Sequence, residues 1–383
     1  MKRIVYIHHG DSQSGAARSL SFLISGLDKS LYEPIVVCFF RDTNTKVFFE
    51  KAGAKVEFVD NVQPFHGSTV SKIDLKLIGK NFVYLFPSIL NYYRILSKLK
   101  PDIVHLNSTC IFAAGIASKI SNRKIPVVCH IREPLLSGWL GAIISYGCSL
   151  CVDQYISIDK YDGTTVRDKR KNVEVVYNFV DTAIYKPFKD DLFRTELKLS
   201  KEDFVVLYLA RIAPSNGALE LLNFLKKNSG KINGFKFVFV GDNPADKSDY
   251  AQEVRKLASG LNNVILLNFR NDVPRLIAAC DCIICPFITP HFARTIIEAA
   301  AMSKISIASD IPGPQELVRH RETGFLYTEI SEILDYLELI QRDDQLRSSM
   351  GERAFEFAME NFSAEKNVLK VQEIYNKLTN RRG

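Results

Sequence analysis

A chain of 383 residues with 46% hydrophobic and 24% charged content has the make-up of a globular protein. At roughly 150 residues per domain it is long enough for two domains of similar size. Fourteen prolines and 20 glycines exclude a collagen-like or low-complexity chain, and 50 lysines and arginines against 43 aspartates and glutamates leave +7, too little for a dedicated nucleic-acid binder.

Met1-Lys2-Arg3 and the apolar run Ile4–Ile7 fail as a secretory leader, because the run is short and no small-residue cleavage site follows; the segment reads as a first buried strand. From there short β-branched runs alternate with longer amphipathic stretches, the pattern of βαβ units and parallel sheets. Strands are predicted at 3–8, 33–39, 55–58, 103–106, 126–130, 154–158 and 173–177. After Pro187 a second series is predicted at 204–209, 235–240, 264–267, 282–286 and 306–308. Residues 178–199 have no clear period, so the boundary falls there: an N-terminal domain over 1–183, a C-terminal domain over 184–362, and a last helix within 363–383 packing back on the first domain. Two doubly wound α/β domains in tandem place a functional crevice between them, outside the carboxyl ends of the strands.

Two stretches bear on membranes. Pro134 to Val152 carries no charge but holds Ser137, Gly138, Gly141, Ser145, Gly147 and Ser149 between two predicted strands, and reads as a helix packed on the sheet. Thr69–Lys100 carries Lys72, Lys76, Lys80, Arg94, Lys98 and Lys100 against Asp74 alone, interleaved with aromatic and aliphatic residues. It reads either as a solvated helix face or as a basic, aromatic surface for an anionic bilayer. The eight cysteines sit mostly in apolar runs and read as reduced core residues of a cytosolic protein; Cys280-Asp281-Cys282-Ile283-Ile284-Cys285 has no second Cys/His pair at zinc-site spacing.

Candidate chemistry clusters where strands give way to helices. The loop Asp11-Ser12-Gln13-Ser14-Gly15-Ala16-Ala17 leads into a helix predicted over 18–27; its small residues admit a phosphate, although it is neither a dinucleotide fingerprint nor a P-loop. Arg211 stands just past the strand 204–209, placed to pair with a diphosphate. In the stretch 285–302 a helix opens near Arg294-Thr295, and Glu298 lies in its first turns, where a carboxylate accepts from a pair of sugar hydroxyls or simply suits the helix dipole. His8, His9 and His105 lie at strand ends, and Arg132-Glu133 reads as an internal ion pair.

The chain resembles the retaining glycosyltransferases of family 4, which have the two-Rossmann GT-B fold. The resemblance runs almost end to end. It rests on Ser14-Gly15-Ala16-Ala17-Arg18-Ser19-Leu20, Pro101-Asp102-Ile103-Val104-His105, His130-Ile131-Arg132-Glu133 and Val176-Tyr177-Asn178-Phe179-Val180-Asp181. Further on it rests on Ala210-Arg211-Ile212, Arg294-Thr295-Ile296-Ile297-Glu298-Ala299 and Ala308-Ser309-Asp310-Ile311-Pro312-Gly313. It implies a UDP- or GDP-linked sugar held mainly by the second domain, and a glycan or lipid-linked acceptor held mainly by the first. Arg211 would contact the donor diphosphate, Glu298 the ribose, and the N–H groups of Ala293–Thr295 the phosphates. His130 would lie by the transferred sugar, and Gly15 and Ala16 would let their loop approach the diphosphate. An arginine and a helix start can stabilise a leaving diphosphate without a metal, which suits a chain with no Asp-x-Asp.

Some positions depart from the family pattern. Pro290 stands where the first acid of a Glu-x(7)-Glu pair falls, Asn216 where a lysine falls, and Ala210 and Ala293 where glycines fall. Losing the lysine removes ~1.5–3 kcal/mol of charge-assisted bonding, and losing the first acid removes a contact to the donor sugar hydroxyls; His291 and Arg294 are the candidates to compensate. The expected activity is thus metal-independent, retaining sugar transfer in surface polysaccharide or glycolipid assembly, in the cytoplasm or at the inner membrane face. The alternative is an inactive scaffold or nucleotide-sugar-binding subunit of the same fold. A nicotinamide-dependent dehydrogenase lacks its glycine fingerprint.

Overall fold

Contacts divide the chain into two units, Met1–Phe179 together with Ala364–Gly383, and Val180–Ser363. The computed structural model describes residues 1–10, 14–39, 41–68, 74–168 and 171–380.

In the first unit the chain runs β1 (Lys2–His8), α1 (Gly15–Gly26), β2 (Tyr32–Cys38), α2 (Thr43–Lys51), β3 (Lys55–Phe58), α3 (Leu75–Leu99) and β4 (Ile103–Leu106). It continues through α4 (Phe112–Ser121), β5 (Val127–Ile131), α5 (Trp139–Ser149), β6 (Gln154–Ser157), α6 (Lys160–Thr165) and β7 (Val173–Val175). The strands form one sheet in the order β3-β2-β1-β4-β5-β6-β7, all parallel. Pro34 is tolerated inside β2 because β3 joins only from Ile35 onward, so the missing N–H leaves no gap on that edge.

Alternation along the strands builds two cores. Val5, Ile7, Val104, Leu106, Val127 and Cys129 face α3, α4 and α5. Ile4, Tyr6, Ile103, Val128 and Ile156 face α1 and the last helix. By the same alternation His105 and His130 share a face with Ile103 and Val128. The uncharged 134–152 stretch forms only an 11-residue helix, α5, since Gly138 caps it and Leu150 ends it. All eight cysteines are buried and free.

The second unit holds α7 (Asp191–Glu196), β8 (Phe204–Leu209), α8 (Ala218–Lys227), β9 (Phe235–Asp242), α9 (Asp249–Ser259), β10 (Val264–Asn268), α10 (Val273–Ala279) and β11 (Cys282–Cys285). It ends with α11 (Arg294–Ala300), β12 (Ile305–Ser309), α12 (Pro314–Leu317), β13 (Gly324–Tyr327), α13 (Glu332–Arg342) and α14 (Asp344–Asn361). The order β10-β9-β8-β11-β12-β13 is again all parallel. The last helix, α15 (Ala364–Asn380), belongs to the first unit, where Val368, Val371, Ile374 and Tyr375 complete the α1 face.

Both sheets reverse their winding beside the first strand of the unit, β1 or β8. In such sheets the carboxyl ends of the central strands are where ligands bind, and the polar side chains gather there in each unit.

Candidate functional site

In the first unit β1 ends at His8, β4 runs on into Asn107 and Ser108, and β5 into Arg132 and Glu133. Helix α1 begins at Gly15, three residues before the predicted start, because Ser14 caps it by accepting the Ala17 N–H at 3.1 Å. Gly15 and Ala16 therefore belong to its first turn. Asp11, Ser12 and Gln13 lie outside the described residues.

Asn107 ties these ends together. Its amide nitrogen is 3.0 Å from His8 Nδ1 and 3.3 Å from the Ala16 carbonyl, while its oxygen accepts Arg132 Nε and Nη2 at 3.0 and 2.9 Å. Arg132 Nη1 donates to Asn178 Oδ1 at 2.9 Å. The arginine fork thus grips two amides, and its neighbour Glu133 faces Ser108 Oγ at 3.3 Å and Cys110 Sγ at 3.5 Å.

His130 is 1% exposed, and among the described residues neither ring nitrogen has a hydrogen-bond partner. Burial first, then the fields of Arg132 and His105, hold its pKa well below the ordinary histidine value. It is a neutral imidazole suited to hydrogen-bond a ligand hydroxyl and unsuited to deliver a proton at neutral pH. Beneath it, with ring centroids 5.5 Å apart, lies His105, whose Nδ1 is 2.6 Å from the Tyr375 hydroxyl.

In the second unit Arg211 follows β8 with its side chain exposed. Its carbonyl accepts Asn216 Nδ2 at 2.8 Å and the Tyr208 hydroxyl at 3.3 Å. Asn216 is 7% exposed, so its side chain is turned into the protein and braces the Arg211 loop. At Gly217 (φ +70°) a Cβ would sit 1.7 Å from the Pro286 carbonyl oxygen, and at Gly313 (φ +96°) one would sit 2.1 Å from that of His291. Only glycine allows the loops after β8, β11 and β12 to approach this closely.

The loop after β11 carries His291. Its Nδ1 lies 2.7 Å from the Thr289 carbonyl, which fixes Nδ1 as the donor and leaves Nε2 as the acceptor, and its ring packs 4.4 Å from that of Phe287. Burial lowers the His291 pKa, the Thr289 carbonyl works against this, and Arg211 lowers it further. Ala293 precedes α11 as a buried residue, and Thr295 Oγ1 donates to the Leu209 carbonyl at 2.9 Å, pinning the helix start to the end of β8. Arg294 Nη2 bonds Glu298 Oε1 at 3.2 Å across one helical turn, and the Glu298 side chain is only 5% exposed.

Arg211, Asn216, His291, Ala293, Arg294, Thr295 and Glu298 therefore lie together at the carboxyl ends of β8 and β11, while Gly15, Ala16 and His130 stand in the first unit. An exposed arginine, a neutral imidazole and an arginine-held carboxylate suit an anion with hydroxyl groups beside it. Sequence reasoning missed Asn107 and Tyr375 and gave Asn178, quoted within the Val176–Asp181 motif, no role of its own. Asn107 carries a signal that could have found it, since it stands just past a strand end as Arg211 does; Tyr375 carries none beyond the apolar face of its helix. Among the described residues no group of three or more His, Cys, Asp or Glu side chains forms a metal-binding cluster.

On α3 the structure exposes Leu75, Val83 and Phe86, with Lys76, Lys80, Arg94 and Lys98 also exposed. Thr69 and Lys72 lie outside the described residues. Trp139, 56% exposed, stacks on Phe82 with centroids 6.4 Å apart. Among the described residues no helix is long and apolar enough to cross a membrane.

Residues 13–184 match the family model described as Glycosyltransferase Family 4, and residues 189–357 match Glycosyl transferases group 1. The UDP-Gal:alpha-D-GlcNAc-diphosphoundecaprenol alpha-1,3-galactosyltransferase of Escherichia coli is 26% identical over 315 residues, 75% of this chain and 78% of its own. The N-acetyl-alpha-D-glucosaminyl L-malate synthase of Bacillus anthracis is 26% identical over 209 residues, 54% of either chain, so the chain spans about half of that relative. Among solved structures, Anabaena Alr3699/HepE in complex with UDP-glucose superposes with a TM-score of 0.82 at 22% identity, covering 98% of this chain and 100% of that one.

Proposed function

The chain is a glycosyltransferase of the GT-B fold, its two halves of the family 4 and group 1 kinds, and we propose that it moves a sugar from a UDP-linked donor to a glycan or lipid-linked acceptor in polysaccharide assembly. The observation that carries the donor assignment is Arg211, exposed at the end of β8 on a loop that Asn216 and Tyr208 hold fixed. UDP is favoured over GDP because the Escherichia coli relative is named for UDP-Gal and the Anabaena protein was solved with UDP-glucose.

In this reading Arg211 meets the charge that grows on the leaving diphosphate, and the first turn of α11 adds its N–H groups. Because Asn216 already fixes the loop, the Arg211 backbone from which the guanidinium reaches is held in place when that charge develops. Glu298, oriented by Arg294, accepts the ribose hydroxyls. His291 presents Nε2 as an acceptor on the same side. No step requires a metal: the charges come from side chains and the helix start, and the configuration at the anomeric carbon is retained by same-face displacement through an oxocarbenium-like state. The leaving diphosphate helps to take the acceptor's proton. His130, neutral and without a hydrogen-bond partner among the described residues, hydrogen-bonds the transferred sugar, and the small residues Gly15 and Ala16 admit a phosphate at the α1 turn.

The outer face of α3, apolar at Leu75, Val83 and Phe86 and basic at Lys76 and Lys80, rests on an anionic bilayer that presents the acceptor.

Turnover of UDP-glucose, UDP-galactose and UDP-N-acetylglucosamine, followed as UDP release, tests the activity. Release with at least one donor, lost in Arg211→Ala, is expected. UDP binding without turnover of any sugar nucleotide would leave a binding subunit in place of an enzyme.

A further inference from the structure

Glu133 is a half-buried carboxylate with weak company. Its neighbours are a hydroxyl and a thiol, Ser108 Oγ at 3.3 Å and Cys110 Sγ at 3.5 Å, and among the described residues no lysine or arginine bonds it. A half-exposed carboxylate bonded only by a hydroxyl and a thiol keeps acceptor positions for further donors. Two imidazoles stand within reach of its field. His9 has a buried Nδ1 with no hydrogen-bond partner among the described residues. Burial lowers the pKa of both His9 and His66 and the Glu133 charge raises it, with burial the larger effect. Neutral imidazoles donate only one N–H each, so the cluster keeps lone pairs to offer.

The frame around it is rigid. The backbone of His66 is gripped twice by Asn81 of α3, N–H to Oδ1 at 3.0 Å and Nδ2 to carbonyl at 2.8 Å. The same segment pairs with the chain just after Glu133, through the Ser68–Leu135 bridge and the Leu136 N–H to the Gly67 carbonyl at 3.0 Å. The Phe65 N–H donates to the Cys110 carbonyl at 2.7 Å. From this polar cluster an aromatic ladder leads outward: Phe65 sits edge-on to Phe82 at 5.4 Å, and Phe82 stacks on Trp139. Phe82 is 47% and Trp139 56% exposed.

We propose that Glu133, flanked by His9 and His66, binds paired hydroxyls on the acceptor's sugar, and that the acceptor's apolar part lies along Phe82 and Trp139. A planar carboxylate accepts from two neighbouring hydroxyls at once, and the ring faces cover the hydrocarbon that follows. This assigns the acceptor class as an amphiphile with a sugar head, and it rests on the glycosyl-transfer reading above.

Trp139 is the chain's single tryptophan, so its emission reports this site. The full chain is titrated with octyl glucoside, octyl galactoside and octyl N-acetylglucosaminide, each kept below micelle formation, and UDP is titrated separately by calorimetry. At least one glycoside is expected to shift the emission saturably, while the corresponding free sugar and octanol bind more weakly. Glu133→Gln is expected to weaken that binding by about tenfold, as for loss of a charged hydrogen-bond acceptor, and to leave UDP binding unchanged. His66→Ala, which removes only a partly exposed ring, provides a second variant should Glu133→Gln unfold, with the same loss expected. No saturable shift with any glycoside, or wild-type affinity in the variants that fold, overturns the acceptor site. Failure to bind UDP overturns the donor reading, and it is read independently of the emission.

Discussion

Tyr375, on the last helix, places its hydroxyl 2.6 Å from His105 Nδ1 and 3.2 Å from the Tyr6 hydroxyl. All three side chains are at most 1% exposed. With the Tyr375 proton on Tyr6, the imidazole donates from Nδ1, and the chain segments furthest apart in sequence are joined beneath His130. Replacing Tyr375 by phenylalanine keeps the ring packing but leaves a buried Nδ1–H without an acceptor. A loss of ~1–3 kcal/mol of stability follows, measurable as a lower urea midpoint; an unchanged midpoint would remove the bond from the fold's support.

The same histidines make the first unit acid-sensitive. Burial and then the Arg132 field push His105 down to about 3 from an ordinary 6.5, and His130 is held low by burial, Arg132 and His105. The unfolded chain takes up these protons as the pH falls below about 6.5, while the folded chain resists. The stability they contribute is therefore complete above pH 6.5 and drains away as the pH falls toward 3, at about 1.4 kcal/mol per unit per histidine. Urea unfolding at pH 7.5 and 5.0 checks this. The pH slope should be shallower in His105→Asn, and a wild-type slope in that variant would contradict it.

Much of the fold was legible because strands buried on both faces read as β-branched runs: 103–106 and 204–209 match the strands to the residue. Gly324–Tyr327 was missed, since a four-residue segment that opens on glycine carries little strand signal. The positions of Arg211 and of 291–298 were readable because each follows a strand end. The inward turn of Asn216 was not, since its partner is a backbone carbonyl and leaves no trace in side-chain pattern. Nor was the Tyr375–His105 bond, which spans 270 residues of sequence. Arg132-Glu133 looked like a pair because opposite charges were adjacent, yet β5 ends just before them and each residue finds its partners on other segments.

Arg211→Ala should weaken UDP binding by about tenfold to a hundredfold, the range for a lost charged hydrogen bond, without shifting the thermal midpoint of the unliganded protein, because the exposed guanidinium supports no other element. Calorimetric titration with UDP decides it, and equal affinity would take Arg211 out of the site.

Asn216→Lys introduces the residue the family pattern has there, and the structure predicts that it harms. The position is 7% exposed and its amide holds the Arg211 carbonyl. A lysine loses that bond and must bring its ammonium out past the loop, so Arg211 is less well held. UDP affinity should fall, and a gain would mean that the loop rearranges to admit the second cation.

The exposed face of α3 gives the last test. Phe86 and Val83 are 74% and 70% exposed, with Lys76 and Lys80 at the same end of the helix as the 86% exposed Leu75. Each lysine near an anionic surface contributes about 1 kcal/mol, so Lys76→Gln with Lys80→Gln should lower binding to vesicles containing phosphatidylglycerol by roughly tenfold or more. Phe86→Ser should lower binding to those vesicles as well, and its loss should persist at high salt, where the lysine contribution is screened. Sedimentation with vesicles at low and high salt separates the two contributions. If neither variant changes the pelleted fraction, α3 does not face the bilayer, and its apolar residues must be covered by another protein or by the acceptor.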